Sequence, residues 1–172
     1  MTTRSGRHTC KNRYRLSLML AVLFTGAPVH ADLVAFELGR GNHNTRGSDA
    51  WFVRYQNDMQ PLWKAISFIE FAGGAWNGHN ENRTVSIGGG LRYSITERSY
   101  ISAATGLAYV TDRTDHLGTH PQIPWRFALG WRVGRVDVAL AQIHYSNGKS
   151  IFRWDHPNAG DNFMTLQIGY VP

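Results

Sequence analysis

The chain has one cysteine, Cys10, six prolines, and no apolar run that approaches the length of a membrane-spanning helix. Each scarcity excludes something. A helix needs about eighteen or more consecutive apolar residues to cross a bilayer, so a helical membrane protein is ruled out. Charged residues make up only 17% of the chain, and low charge combined with many aromatics is not the composition of a disordered segment. Aromatics at 12% and 18 glycines are what the chain does have, and they point to β structure with close backbone approaches.

The first 31 residues resemble a secretory leader in pattern. Arg4, Arg7, Lys11, Arg13 and Arg15 form a basic stretch without an acid, Leu16 to Phe24 is apolar, and Val29-His30-Ala31 is a small-x-small cleavage site. A cut after Ala31 is expected, leaving residues 32–172 as one domain. The formal net charge of +6 is largely that leader: past Ala31 there are 13 basic and 12 acidic side chains, a net of +1. No basic stripe remains, and nucleic acid is set aside as a partner. The only cysteine leaves with the leader, so neither a disulfide nor thiol chemistry is available to the rest.

Past the leader, residues alternate with period two. In Thr84 to Ile95, Val85, Ile87, Leu91, Tyr93 and Ile95 share one face, and Thr84, Ser86, Arg92 and Ser94 the other. The same alternation runs through Val34–Leu38, Trp51–Gln56, Ile101–Tyr109, Trp125–Val133, Val136–Ser146 and Met164–Tyr170. Trp63–Gly73 is less regular, with Ile66, Phe68, Ile69 and Phe71 in both phases. Eight strands are predicted. Tight turns are expected at Asn57–Pro61, Thr96–Arg98 and Gly134–Arg135. Long polar loops are expected near Arg40–Asp49, Gly74–Arg83, Thr111–Gln122 and Asn147–Asp161. Alternating short and long connections match an all-β, eight-stranded antiparallel transmembrane β-barrel of the outer-membrane type.

The sorting of side chains favours a membrane barrel over a soluble one. One face is large and apolar; the other holds Gly, Ala, Ser, Arg and carboxylates, the reverse of a barrel that fills itself with bulk. Glu37, Asp137 and Glu70 are placed to pair inside with Arg54, Arg92 and Arg126, as buried charges must. The six Trp are expected in the interfacial girdle and on the lipid face.

One polar pair breaks the sorting. Counting along Val136–Ser146 puts Gln142, His144 and Ser146 on the lipid side at the loop end. Polar groups there are costly. His beside Ser is the minimum for nucleophilic acyl transfer, because imidazole takes the proton that a serine hydroxyl does not release near neutral pH. A third group is needed to fix the imidazole tautomer. The same parity puts Asn162 outside, beside the pair, and Asp161 inside unless the strand bulges there.

His144-Tyr145-Ser146-Asn147-Gly148, followed by Pro157-Asn158-Ala159-Gly160 and a short last strand, resembles the carboxy-terminal signature of the PagL family, outer-membrane lipid A 3-O-deacylases. The resemblance covers Ala139–Tyr170 closely and the rest as strand pattern. It implies an esterase of the bacterial outer membrane that removes the 3-O-linked 3-hydroxyacyl chain of lipid A, with its site at the outer-leaflet rim and no cofactor. Ser146 is then the nucleophile, His144 the general base, and Asn158 and the Gly148 N–H the donors to the oxyanion. The family's acid is expected where Asn162 stands, and Asp161 is the alternative third member. Lys149 and Arg153 are candidates to meet lipid A phosphates, against the plainer reading of solvated loop charges. The competing function is a non-enzymatic small barrel serving adhesion or envelope integrity through its loops.

Other motifs carry less. His116 and His120 are four apart but are separated by Gly118 and followed by Pro121, so no helix aligns them for a metal. Gly88-Gly89-Gly90 lies inside a strand and is no phosphate loop. Asn82-Arg83-Thr84 reads as a loop-to-strand junction.

Overall fold

The computed structural model describes residues 33–77, 81–153 and 155–172, so the leader lies outside the described residues. Eight antiparallel strands close into a barrel in sequence order, β8 pairing back to β1. They are β1 (Leu33–Asn42), β2 (Asp49–Leu62), β3 (Ala65–Asn77), β4 (Asn82–Ser94), β5 (Ser99–Val110), β6 (Pro121–Val133), β7 (Val136–Ser146) and β8 (Asp161–Tyr170). A 3-10 turn, His43–Thr45, follows β1, and one helical turn, α1 (Lys149–Phe152), lies between β7 and β8.

All eight expected strands are present, and two connections differ from expectation. The tight turn expected at Asn57–Pro61 is strand instead: β2 runs on to Leu62 and the chain reverses at Trp63–Lys64. Its register against β3 shifts between Asp58 and Pro61, an irregularity that accommodates a residue without an N–H to donate. The Asp58 carboxylate meanwhile pairs with Arg92 of β4, and Ser67 Oγ donates to Gln60 O at 2.7 Å. The loop expected over Gly74–Arg83 is also shorter, since β3 continues to Asn77 and Trp76 pairs with Asn82.

The outer face is apolar all round: Val34, Phe36, Leu38, Val85, Ile87, Leu107, Phe127, Leu129, Leu140 and Leu166 are among its exposed residues. No soluble fold leaves a continuous belt of this kind in water, and a lipid-facing band accounts for it. Trp51 and Trp131 stand on this face towards opposite ends of the barrel.

Inside, the two halves differ. Towards the short turns the lumen is ionic. Glu37, fully buried, is paired with Arg54 at 3.0 Å and Arg126 at 2.7 Å, and Arg54 also reaches Glu70 at 2.5 Å. Gln167 links Arg126 to Asp137, and Tyr100 donates to the same Asp137 oxygen at 2.8 Å. Of the expected partners, Arg92 takes Asp58, and Asp137 takes Arg132 at 3.4 Å.

Towards the loops the lumen is aromatic. Besides the Gly, Ala, Ser, Arg and carboxylates expected on the inner face, large rings stand there: Phe52, Trp76, Tyr145 and Phe163 point inward and pack together with centroids 5.1–6.5 Å apart. Trp76 is thus a core residue rather than part of a girdle. Glycines make room for inward rings at both ends: a Cβ on Gly74 would overlap Phe52, and one on Gly130 the Tyr100 ring.

Candidate active site

The end of β7 is held by its inward residue. Tyr145 is buried in the aromatic cluster, with Trp76 at 5.2 Å and Phe52 at 6.2 Å, so strand alternation turns His144 and Ser146 outward. Their cross-strand partners follow from register. His144 stands opposite Trp125 of β6 and Asn162 of β8, and Ser146 stands opposite Ile123. Polar side chains therefore share a patch of the lipid-facing wall. On its membrane side, Asn42 Nδ2 donates to Gln142 Oε1 at 3.1 Å.

The His144 ring is fixed on three sides. Its Nδ1 is 2.8 Å from Asn162 Oδ1. Its face lies against Trp125, centroids 4.9 Å apart and planes inclined by 35°. Its far edge lies against Gly160, where a Cβ would overlap Cε1 and come within 3.1 Å of Nε2. Gly160 has φ +75°, so glycine is required there both for the backbone and for the ring. An amide oxygen only accepts, so Nδ1 carries the proton towards Asn162 and the neutral ring has its lone pair on Nε2. Among the described residues, no hydrogen bond joins Ser146 Oγ to this imidazole.

Asp161 faces the other way. It is buried in the lumen, where its Oδ1 is 3.4 Å from His116 Nδ1. Adjacent residues of β8 thus serve opposite faces of the wall, and it is Asn162 whose side chain meets His144.

Asn147 ties the last long loop together. Its Nδ2 donates to Leu117 O and to Pro157 O, each at 2.8 Å, and its Oδ1 accepts the Lys149 N–H at 3.0 Å. Its own N–H donates to Asn158 Oδ1 at 2.9 Å. That bond occupies the oxygen of Asn158 and leaves its NH₂ as donor. Gly148 adopts φ +69°, buried between Ile123 and the Phe152 ring, and its carbonyl accepts the N–H groups of Ile151 and Phe152 at 2.8 and 2.9 Å. Among the described residues, no acceptor takes the Gly148 N–H. Lys149 opens α1 and Arg153 follows it; both are exposed and form no ion pair among the described residues.

The sequence reading assigned no role to Asn147 or Trp125. An Asn that accepts the N–H two residues on is a recognisable Asx turn, and that signal was available. Trp125 is identified only by register. His120 is unconnected with the site: its Nδ1 is 2.9 Å from Val110 O and its ring stacks on Tyr109 at 5.3 Å. Asn82 is buried at a loop junction, bonded to Asp112 and Thr111.

Three solved structures place this architecture. The crystal structure of the outer membrane enzyme PagL superposes with a TM-score of 0.69 at 18% identity, over 80% of this chain and 98% of that one. A de novo designed transmembrane β-barrel gives 0.58 at 15% identity, over 84% and 97%. The Yersinia pestis outer membrane protein Ail, in a phospholipid nanodisc, gives 0.51 at 8% identity, over 81% and 98%. At such identities these are likenesses of fold. By sequence the chain matches none of the curated proteins. The family model described as lipid A 3-O-deacylase (PagL) matches residues 44–171, well over half of the sequence. The barrel, its outward histidine and serine, and this match lead to one statement: the chain belongs to the PagL family of lipid A 3-O-deacylases.

Proposed function

We propose that this chain hydrolyses the 3-O-linked 3-hydroxyacyl ester of lipid A by a serine mechanism, at the loop-end rim of an outer-membrane barrel, after removal of residues 1–31. The observation that carries the reading is the His144 Nδ1 to Asn162 Oδ1 bond of 2.8 Å, made on the lipid-facing side of the wall that also bears Ser146. A histidine held in one tautomer beside a serine is the working part of an acyl-transfer site.

In the proposed reaction Ser146 Oγ gives its proton to His144 Nε2 and bonds to the ester carbonyl carbon. The carbonyl oxygen takes up the negative charge and is met by the Asn158 NH₂ and the Gly148 N–H. Collapse of the intermediate breaks the bond to the sugar oxygen, which receives the proton from His144. Water then repeats the sequence on the acyl-serine, releasing the 3-hydroxy acid. Asn162 orients the ring but brings no negative charge to the imidazolium, a weaker arrangement than a carboxylate. An outward site suits a substrate whose acyl chains stay in the bilayer, whereas an adhesive barrel gives no reason for a fixed histidine on the lipid face. Lys149 and Arg153, at the loop tip, are positioned to meet the phosphates of the same lipid.

Expression in a Gram-negative host, with mass spectrometry of lipid A, tests the reading. Wild type is expected to remove one 3-hydroxyacyl chain. His144→Ala and Ser146→Ala, folded in the same membrane, are each expected to lose on the order of 10³-fold or more in rate. Unchanged lipid A with the wild-type barrel folded, or full activity in Ser146→Ala, would refute it.

A further inference from the structure

The turn after β1 grips the segment that carries Asn162. Thr45 is only 6% exposed. Its Oγ1 lies 2.5 Å from Asn162 O and 2.9 Å from Asn42 O, and it accepts the Asn162 N–H at 3.3 Å. A hydroxyl has one proton and two lone pairs, so it donates to a carbonyl and accepts an amide at once. Asn42 and Asn162 are the last pair of the β1–β8 ladder. The Thr45 hydroxyl stands where the chain has turned away from that ladder and satisfies backbone groups that a continuing strand would have bonded. One residue earlier, Asn44 Nδ2 donates to Ala159 O at 3.0 Å. Two consecutive side chains of a six-residue connection thus hold residues 159 and 162, on either side of the glycine that abuts His144. The turn itself is braced: the Ser48 N–H donates to Thr45 O at 3.0 Å, and a Cβ on Gly41 would overlap that carbonyl.

We propose that Thr45 is a positioning residue for the reaction, its buried hydroxyl bridging the N–H and C=O of Asn162 so that the Asn162 carboxamide stays in reach of His144. The proposal rests on the reading that Asn162 orients the general base. It assigns to the β1–β2 turn, more than a hundred residues away in sequence, a part in setting the catalytic geometry. A threonine serving only the loop would keep its hydroxyl to the loop or to water; besides the local Asn42 carbonyl, this one meets both backbone groups of one residue on another strand. Displacing a catalytic group by a fraction of an ångström lowers rate more than binding.

The test compares Thr45→Val, which keeps shape and removes the hydroxyl, with Thr45→Ser, which keeps the hydroxyl. Both are made in the full chain and again in an Asn162→Ala background, with resistance of the barrel to unfolding in detergent as the check of assembly. Thr45→Val is expected to lower kcat for lipid A deacylation about tenfold with KM little changed, and Thr45→Ser to restore most of it. In the Asn162→Ala background the valine is expected to add no further loss, because the group it positions has gone. An equal further loss in that background would overturn the proposal and make Thr45 a part of the fold alone, as would failure of both Thr45→Val and Thr45→Ala to assemble. Wild-type kcat in Thr45→Val would also overturn it while leaving the Ser146 and His144 assignments standing. Full activity in Asn162→Ala would be distinguishable, since it removes the premise as well.

Discussion

The paired ends of β7 and β8 carry two different chemistries, one on each face of a wall one residue thick. Inward, Tyr145, Asp161 and Phe163 are buried, and each is engaged by rings or by His116. Outward, His144, Ser146 and Asn162 are half-buried, and the histidine is fixed while the serine is left without a partner among the described residues. The inner face supplies the rigidity, and the outer face carries the groups proposed to react. Strand alternation keeps the two apart, so a residue's role there is set by the parity of its position.

The largest way to break this contrast is to remove the inner support. Tyr145→Ala is expected to cost about 3–5 kcal/mol, the usual range for emptying a buried aromatic site, read as a lower denaturant midpoint of the barrel in detergent. Activity should fall too, although the substitution touches none of the reacting groups. A sharper intervention acts on the outer face alone. Asn162→Asp places a carboxylate where the amide oxygen now sits 2.8 Å from Nδ1. Its charge stabilises the imidazolium formed in the transition state, and kcat is expected to rise about tenfold, measured as rate of 3-hydroxyacyl release. The smallest effect is expected from Asp161→Asn. It changes a neighbouring side chain by the same atoms, but on the inner face, so kcat should stay within about threefold of wild type. A large loss there would show that the wall does not separate the two faces.

Strand count, closure and the outward position of the candidate pair were all legible in the sequence, because a barrel one layer thick converts parity directly into inside and outside. Thr84–Ile95 and Trp125–Val133 show this most plainly. Legibility failed where parity does not decide. The end of β2 was missed because Asn57, Asp58 and Pro61 form a turn-like cluster, whereas in the fold Asp58 finds Arg92 across the lumen and the strand absorbs the proline by a shift of register. Trp76 was misjudged because an isolated tryptophan beside Gly73-Gly74 gives no period to count, and its inward place depends on rings from three other strands. Within the site, parity put Asn162 beside His144 and Asp161 inside, as the structure has them. Thr45 reaches Asn162, and Asn147 reaches Leu117 O and Pro157 O, by side-chain bonds to distant backbone that no local pattern encodes.

The filled lumen has a consequence for traffic. Among the described residues, a cluster of rings occupies the lumen towards one end and a salt-bridged network towards the other. On the reading proposed above, substrate reaches His144 and Ser146 sideways, by diffusion within the sheet of lipid, and its frequency of arrival follows its mole fraction in the leaflet instead of any bulk concentration.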